Sequence, residues 1–162
     1  IAIGLACNPT LLIADEPTTA LDVTIQAQIL DLIRELKQEF NTSTIFITHA
    51  LGVVREIADD VAVVYAGSIL EKGSLKEIFT NPRHPYTLGL FGCLPDSDCD
   101  QNRLNLIRGS MPDPLRLPEG CKFRTRCDYA TDKCGAVEPE VYDLTQSHQV
   151  KCHLYEGDAI NG

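Results

Sequence analysis

Methionine, cationic side chains and long apolar runs are what this sequence has least of. It holds one methionine, Met111, so it is expected not to begin at a translation start. Its opening residues, IAIGLAC, read as the middle of something longer. The chain is therefore expected to be the C-terminal piece of a longer protein, with part of any active site outside it. Lys and Arg number 14 against 23 Asp and Glu, a formal charge of -9. That balance argues against a grip on nucleic acid through bulk charge, though a local basic patch remains compatible with it. No apolar run approaches the roughly 20 residues that cross a bilayer, and the longest, residues 61–66, has the length of a strand. Residues 1–6 are apolar but too short for a secretory signal, and they lack its basic flank. No internal repeat or low-complexity tract is visible. What the chain does have is 44% apolar residues, enough to bury a core and to exclude a wholly disordered chain.

Up to about residue 95, apolar segments of two kinds alternate. Residues 11–14 (LLIA) run into Asp15 and Glu16. Residues 44–48 (TIFIT) and 61–66 (VAVVYA) are short and β-branched or aromatic. Short, fully apolar runs suit buried parallel strands. Between the first two lies 23–40, with Ile25, Ile29, Leu32, Ile33 and Leu36 at helical spacing and Asp22 where an N-cap is wanted. A shorter helical pattern covers 51–58. Strand, helix, strand, helix, strand reads as an α/β layered domain. Ala66-Gly67-Ser68 then reads as a hairpin turn into 69–72. Ser74 is placed to cap a short helix through Phe79, which Asn81-Pro82 ends. After Pro95 the pattern weakens: 96–100 is acidic, and 111–120 carries Pro112, Pro114 and Pro118, as an extended linker does. Four cysteines follow within a stretch too short to be stable on apolar burial alone.

Asp15 and Glu16 stand at the C-terminal end of a strand, where open α/β sheets put their ligand sites. On an extended backbone they point to opposite sides and take different tasks. One can hold a hydrated Mg²⁺ while the other orients a water for attack on a phosphate. The blander alternative is two solvated acids. The second strand ends in Thr48-His49, and a histidine there can reach the same crevice and bond a terminal phosphate. Two strand ends carrying D-E and T-H in one sheet make a more specific arrangement than either alone.

ADEPTTALD, FITHALGVV and VYAGSILEKG together resemble the second half of an ABC-type ATPase domain, a P-loop NTPase fold, over residues 1 to about 80. The resemblance implies that Asp15 holds Mg²⁺ through water and that Glu16 is the catalytic carboxylate polarising the attacking water. It implies that His49 senses the γ-phosphate, and that Ala20-Leu21-Asp22 is the loop through which Asp22 contacts the opposite ATPase subunit. Residues 1–6 resemble the end of the helix after the family's signature sequence. The departures are equally definite. G-x-x-x-x-G-K-[ST] is absent from this sequence, as are the signature and glutamine loops, all of which would lie upstream. Ala50 follows the histidine where the family often has an acidic residue. The fragment alone is expected neither to bind ATP tightly nor to turn it over.

Of seven cysteines, Cys7 is expected to be a small buried hydrophobe at a helix end, and Cys93 and Cys99 have no evident partners. Cys121, Cys127, Cys134 and Cys152 are spaced C-x5-C-x6-C-x17-C. Disulfides suit an ATP-facing protein poorly, because cytosolic thiols stay reduced. Structural zinc suits four thiolates, but the short knuckle typical of such sites is missing. An iron–sulfur cluster needs four thiolates and tolerates irregular spacing. Lys122, Arg124, Arg126 and Lys133 interleave with the cysteines and are expected to lower their thiol pKa values. Spacing alone leaves iron and zinc open. HPYTLGLFGCLP, GCKFRTRCDYATDKC and HQVKC resemble the C-terminal extension of oligopeptide and dipeptide importer ATPases, over about 84–155. That resemblance implies a [4Fe–4S] cluster on Cys121, Cys127, Cys134 and Cys152, with Zn²⁺ as the alternative. His148 and His153 flank the last cysteine and could be ligands, but structural or solvated roles are the favoured reading. Tyr86, Leu88, Leu90 and Phe91 are read as an amphipathic helix packing the extension onto the ATPase part.

The resulting expectation is an α/β chain in two domains. Residues 1–83 form the second half of an ABC ATPase domain, and 84–162 form a small, mostly irregular, cysteine-rich extension. The function implied is that of an ATP-hydrolysing subunit of a membrane importer for short peptides or nickel, peripheral on the cytoplasmic face of the plasma membrane. Its partners would be a second ATPase subunit, transmembrane permease subunits and, indirectly, an extracellular solute-binding protein, with no nucleic acid. The rival readings are a soluble ABC-type ATPase in nucleic-acid or ribosome work, and a purely structural metal-binding module.

Overall fold

The computed structural model describes residues 4, 7–40, 42–92 and 107–157. The expected helix end before Cys7 (Gly4 aside), the acidic stretch 96–100, and Cys93 and Cys99 lie outside the described residues. The chain divides into two compact units, Ile1–Ala58 and Asp59–Gly162.

In the first unit, β1 (Leu11–Asp15) and β2 (Ser43–Ile47) pair in parallel, from Leu11 opposite Ser43 to Asp15 opposite Ile47. Parallel neighbours need a crossover, and α1 (Val23–Phe40) supplies it. Asp22 Oδ1 accepts a 2.9 Å hydrogen bond from the Ile25 amide, which satisfies one of the orphan donors of the first turn. The buried stripe of α1 is Leu30 and Ile33, at 1% and 2% exposure, with Ile29 and Leu36 half-buried. Ile25 and Leu32 face outward, contrary to the sequence reading, and Leu30 takes the place in the core that reading gave them. The short helix α2 (Leu51–Ile57) buries Val53.

The two strands are not fully buried, as their apolar runs suggested. Ala14 is buried, whereas Leu11, Ile13, Ile45 and Ile47 are exposed. Successive strand residues point to opposite faces, and within the described residues only one face of this sheet is covered. Cys7 also departs from expectation. It lies in a turn and is exposed.

In the second unit, β3 (Asp60–Tyr65) and β4 (Ser68–Ser74) form an antiparallel hairpin. Ala66 (φ 46°) and Gly67 (φ 76°) both take positive φ at the turn, the signature of the type I′ hairpin that matches strand twist. The run VAVVYA is therefore no third parallel strand. A two-residue turn brings the chain straight back beside itself, so the ladder closes locally. The sheet continues through β5 (Tyr142–Asp143) and β6 (Gln149–Val150) in the order β3-β4-β6-β5. Because β6 pairs with β4, opposing Val150 to Glu71, the hairpin belongs to the same compact unit as the cysteine segment. The division at Ala58–Asp59 thus differs from one at 83/84.

After the hairpin, α3 (Leu75–Thr80) starts at a complete capping box. The Glu77 amide donates to Ser74 Oγ, and the Ser74 amide donates to Glu77 Oε2. The helix α4 (Pro85–Phe91) has His84 as its N-cap and Pro85 at its first position, a placement that forfeits no helical hydrogen bond. Phe91 packs on Phe79, ring centroids 4.8 Å apart. Tyr86 packs on Tyr65 and Phe123, which with Leu70 and Cys121 form the core. Leu88 is exposed, so Tyr86 and Phe91 make the anchoring contacts of this helix. The proline-bearing 111–120 has no regular structure. A turn at Arg124–Arg126, α5 (Asp132–Ala136) and a turn at His153–Tyr155 complete the unit.

Candidate functional site

At the C-terminal ends of β1 and β2, two chain segments turn toward each other. β1 ends at Asp15, and Glu16 is already out of the extended conformation, with φ 45°. The two carboxylates are therefore not the opposed pair of one extended strand. A non-glycine residue in the left-handed region stores of order 1–3 kcal/mol of strain, which the surroundings must overcome. Here the turn 16–19 does so. The Glu16 amide donates to Ile47 O at 2.9 Å, and the Thr19 amide donates to Glu16 O at 3.1 Å.

The conformation delivers the Glu16 carboxylate between two partners. His49 Nδ1 lies 3.0 Å from Oε1, and Thr19 Oγ1 donates to Oε2 at 2.9 Å. The His49 hydrogen bond first, and then that of Thr19, hold the Glu16 carboxyl below the usual carboxylate range. An ionised carboxylate only accepts, so the shared proton sits on Nδ1 and His49 keeps Nε2 for another partner. Each oxygen of Glu16 carries one bond, which leaves acceptor capacity for a water. Both side chains are open to solvent, with exposures of 75% for His49 and 44% for Glu16. The site is thus a surface crevice rather than a closed pocket.

Asp15 is exposed at the end of β1 beside this pair. Adjacent carboxylates at a strand end suit Mg²⁺, which keeps several waters and takes one or two protein carboxylates. Asp22 stands apart from the pair, with Oδ1 capping α1. The sequence reading did not single out Thr19. Its signal was the hydroxyl three residues beyond Glu16 in a turn-forming sequence.

In the second unit, Cys121, Cys127, Cys134 and Cys152 all line one cavity of about 120 Å³. A single water needs about 10–15 Å³ of such space, so the cavity has room for a compact polyatomic group. No disulfide involves these four. Among the described residues, no three His, Cys, Asp or Glu side chains are grouped closely enough to hold one metal ion. A tetrahedral zinc with ~2.3 Å bonds would draw its sulfurs to ~3.8 Å of one another, whereas a polynuclear cluster spreads its thiolates around a larger body. Four thiols around one cavity are the donor set that a cysteine-ligated group would need.

The charge environment contradicts one expectation. Cys121, Cys127 and Cys152 are not activated by the basic residues between them. Burial pushes Cys121 and Cys127 up, and Cys152 up to about 11. Two of the neighbouring cations are engaged elsewhere. Lys133 Nζ bonds Glu156 at 2.6 Å, and Arg126 donates to the carbonyls of Arg108 and Ile107.

The backbone around the cavity is closely fitted. Gly120 takes φ +63°, and a Cβ there would come within 2.4 Å of Cys134 O. The Cys121 amide donates to that same carbonyl at 2.8 Å. A buried network locates the HPY segment. Glu71, 1% exposed, accepts from the amides of Arg83 (2.7 Å) and His84 (2.9 Å). It also meets His148 Nε2 at 2.7 Å. His148 is thus a buried structural partner, one of the readings its sequence position allowed. The sequence left Glu71 and His84 unread. Glu71 alternates like any strand residue, and only its buried partners give it away.

The family model described as "Oligopeptide/dipeptide transporter, C-terminal region" matches residues 70–134. The chain is 53% identical over 156 residues to the oligopeptide transport ATP-binding protein AppD of Bacillus subtilis, covering 96% of this chain and 48% of that protein. It is 49% identical over 159 residues to the dipeptide transport ATP-binding protein DppD of Escherichia coli, covering 98% and 49%. It is likewise 49% identical over 154 residues to the oligopeptide transport ATP-binding protein OppD of Haemophilus influenzae, covering 95% and 47%. The chain spans about half the length of these relatives.

Proposed function

We propose that this chain, related over almost its whole length to oligopeptide and dipeptide transport ATP-binding proteins, carries the water-activating half of an ATPase site that drives peptide import. The observation that supports this most is the bond between Glu16 and His49 at the ends of two parallel strands. In this reading Glu16 accepts a hydrogen bond from the attacking water and takes its proton as the water oxygen bonds the terminal phosphorus and the bond from that phosphorus to the bridging oxygen breaks, with ADP leaving. Thr19 and His49 fix the carboxylate so that one acceptor position faces that water. In its protonated form, with Nδ1 donating to Glu16, His49 would also donate from Nε2 to an oxygen of the terminal phosphate, and Asp15 would hold a Mg²⁺ through water, an ion that would supply charge neutralisation at the transferred phosphoryl group. Asp22 lies in the loop that meets a second ATPase subunit.

The protein would work on the cytoplasmic face of the membrane, against permease subunits fed by an extracellular binding protein. Among the described residues no helix is long and apolar enough to cross a membrane, so the membrane part would belong to those partners. The finer reading of the fold is the second half of a P-loop ABC domain followed by a cysteine-bearing extension. In that extension Cys121, Cys127, Cys134 and Cys152 would hold a [4Fe–4S] cluster. Bound there, the cluster would tie three chain segments together by four thiolate bonds, a staple for a unit with a small apolar core.

The test is reconstitution of the full-length protein with its permease in vesicles. ATP hydrolysis that rises when a peptide-loaded binding protein is added supports the reading. Hydrolysis indifferent to the permease and to peptide, or responsive to RNA, contradicts it.

A further inference from the structure

The cavity around the four thiols has polar edges that nothing among the described residues satisfies. Buried polar groups are almost always hydrogen-bonded, because leaving one unpaired costs about 1–3 kcal/mol. Yet four buried side-chain atoms among the described residues have no partner, and three of them, His84 Nε2, Arg124 Nε and His153 Nδ1, belong to residues lining this one cavity. A buried donor among them needs an acceptor at the cavity that the described residues do not supply.

Two of the three are unambiguous donors. His84 Nδ1 accepts from the Tyr86 amide at 3.0 Å. That nitrogen is therefore unprotonated, and the proton of the neutral ring is on Nε2. The ring has no freedom to place it elsewhere. The Glu71 carboxylate holds the His84 amide at 2.9 Å, Phe123 packs against the ring at 5.8 Å between centroids, and the residue is 1% exposed. Arg124 Nε always carries its proton. The Arg124 side chain runs over Gly135, where an added Cβ would meet Nη1 at 2.7 Å. His153 differs, because Nε2 contacts Val137 O at 3.0 Å and so holds the proton of the neutral ring.

We infer that His84 Nε2–H and Arg124 Nε–H are the hydrogen-bond donors to the sulfur of a cluster held by Cys121, Cys127, Cys134 and Cys152. The inference rests on the cluster reading above and goes beyond it. It gives the histidine at the start of α4 a task distinct from capping that helix. Donors to cluster sulfur stabilise the more negative, reduced state and raise the reduction potential.

The test separates the two roles of His84. His84→Asn keeps an acceptor for the Tyr86 amide, since Asn is a good N-cap, but has no group at the Nε2 position. His84→Gln restores a donor near that position and loses the cap. Full-length wild type and both variants, with Arg124→Met, are purified without air, assayed for iron and sulfide, and titrated with dithionite while the visible and electron-paramagnetic-resonance spectra are followed. His84→Asn and Arg124→Met should each lower the midpoint potential at undiminished iron content. The expected change is about tenfold in the oxidised-to-reduced ratio, roughly 59 mV for a one-electron couple. His84→Gln should stay near wild type in potential while melting earlier. A brown wild-type protein whose potential is the same in His84→Asn and Arg124→Met overturns the donor assignment and leaves the cluster standing. A wild type without iron or sulfide overturns both.

Discussion

Glu16 and His49 lie 33 residues apart in sequence and meet at 3.0 Å, because β1 and β2 are parallel neighbours in register and both chains turn at the same edge of the sheet. The contact shows in the acidity of Glu16. Its carboxyl lies below the ordinary value of 4.5, chiefly through the His49 hydrogen bond and then through that of Thr19. In His49→Ala the carboxyl should titrate closer to 4.5, with the remaining depression due to Thr19. Carbon-13 NMR of the side-chain carboxyl reads this directly. A titration unchanged by the substitution would mean the two side chains do not pair in solution.

Glu77 provides a pH test of stability in the second unit. Hydrogen bonds from Thr145, Ser74 and Ser147 hold its carboxyl down at about 2, against an ordinary value of 4.5. A carboxyl depressed on folding stabilises fully above its unfolded value. That contribution shrinks below pH 4.5 and is gone once the pH has fallen through about 2. Thermal melts of wild type and Glu77→Gln should therefore differ most above pH 4.5 and converge toward pH 2. Curves that stay parallel across this range would contradict the assignment.

Glu71→Leu removes an acceptor that serves two backbone amides and His148 in a buried setting. Breaking such a network by deleting one partner costs about 3–5 kcal/mol. Urea unfolding should show a loss of that order, with a lowered midpoint. A cost under about 1 kcal/mol would mean that water replaces the carboxylate, and that the His84 segment is not held as described.

The free thiols around the cavity should react sluggishly. Burial raises Cys152 to about 11, so at pH 8 its thiolate fraction is roughly two-hundredfold below that of an ordinary cysteine near 8.5. After chelation, iodoacetamide labelling followed by mass spectrometry should find Cys152 slower than a peptide thiol by about that factor. Labelling at the peptide rate would show that the cavity is open to solvent.

Much of the local structure is written in local sequence. Asp22 as the cap of α1, the Ala66-Gly67 turn and the Ser74–Glu77 box all rest on interactions within four residues, and each can be read from the chain. The partnering of β3 could not. VAVVYA has the composition of a buried parallel strand, and only the type I′ turn after it, with the distant β6, makes it half of an antiparallel ribbon. The buried pair Glu71–His148 joins residues 77 apart, and sequence periodicity carries no trace of it. The direction of the thiol shifts was misjudged for the same reason. Lys122, Arg124, Arg126 and Lys133 are near the cysteines in sequence, but burial outweighs them, and Lys133 and Arg126 bond elsewhere. At the candidate site Asp15, Glu16 and His49 stood out from the start. Thr19, whose role depends on the positive φ of Glu16, did not.

The most direct test of the account is ATP turnover by Glu16→Gln in the full-length protein, measured beside its affinity for ATP. Gln keeps the shape and loses the proton acceptor, a change that costs about 10²–10⁴-fold when the residue is the general base. The account predicts turnover reduced by at least that much at unchanged ATP affinity. Turnover close to that of the wild type would contradict it.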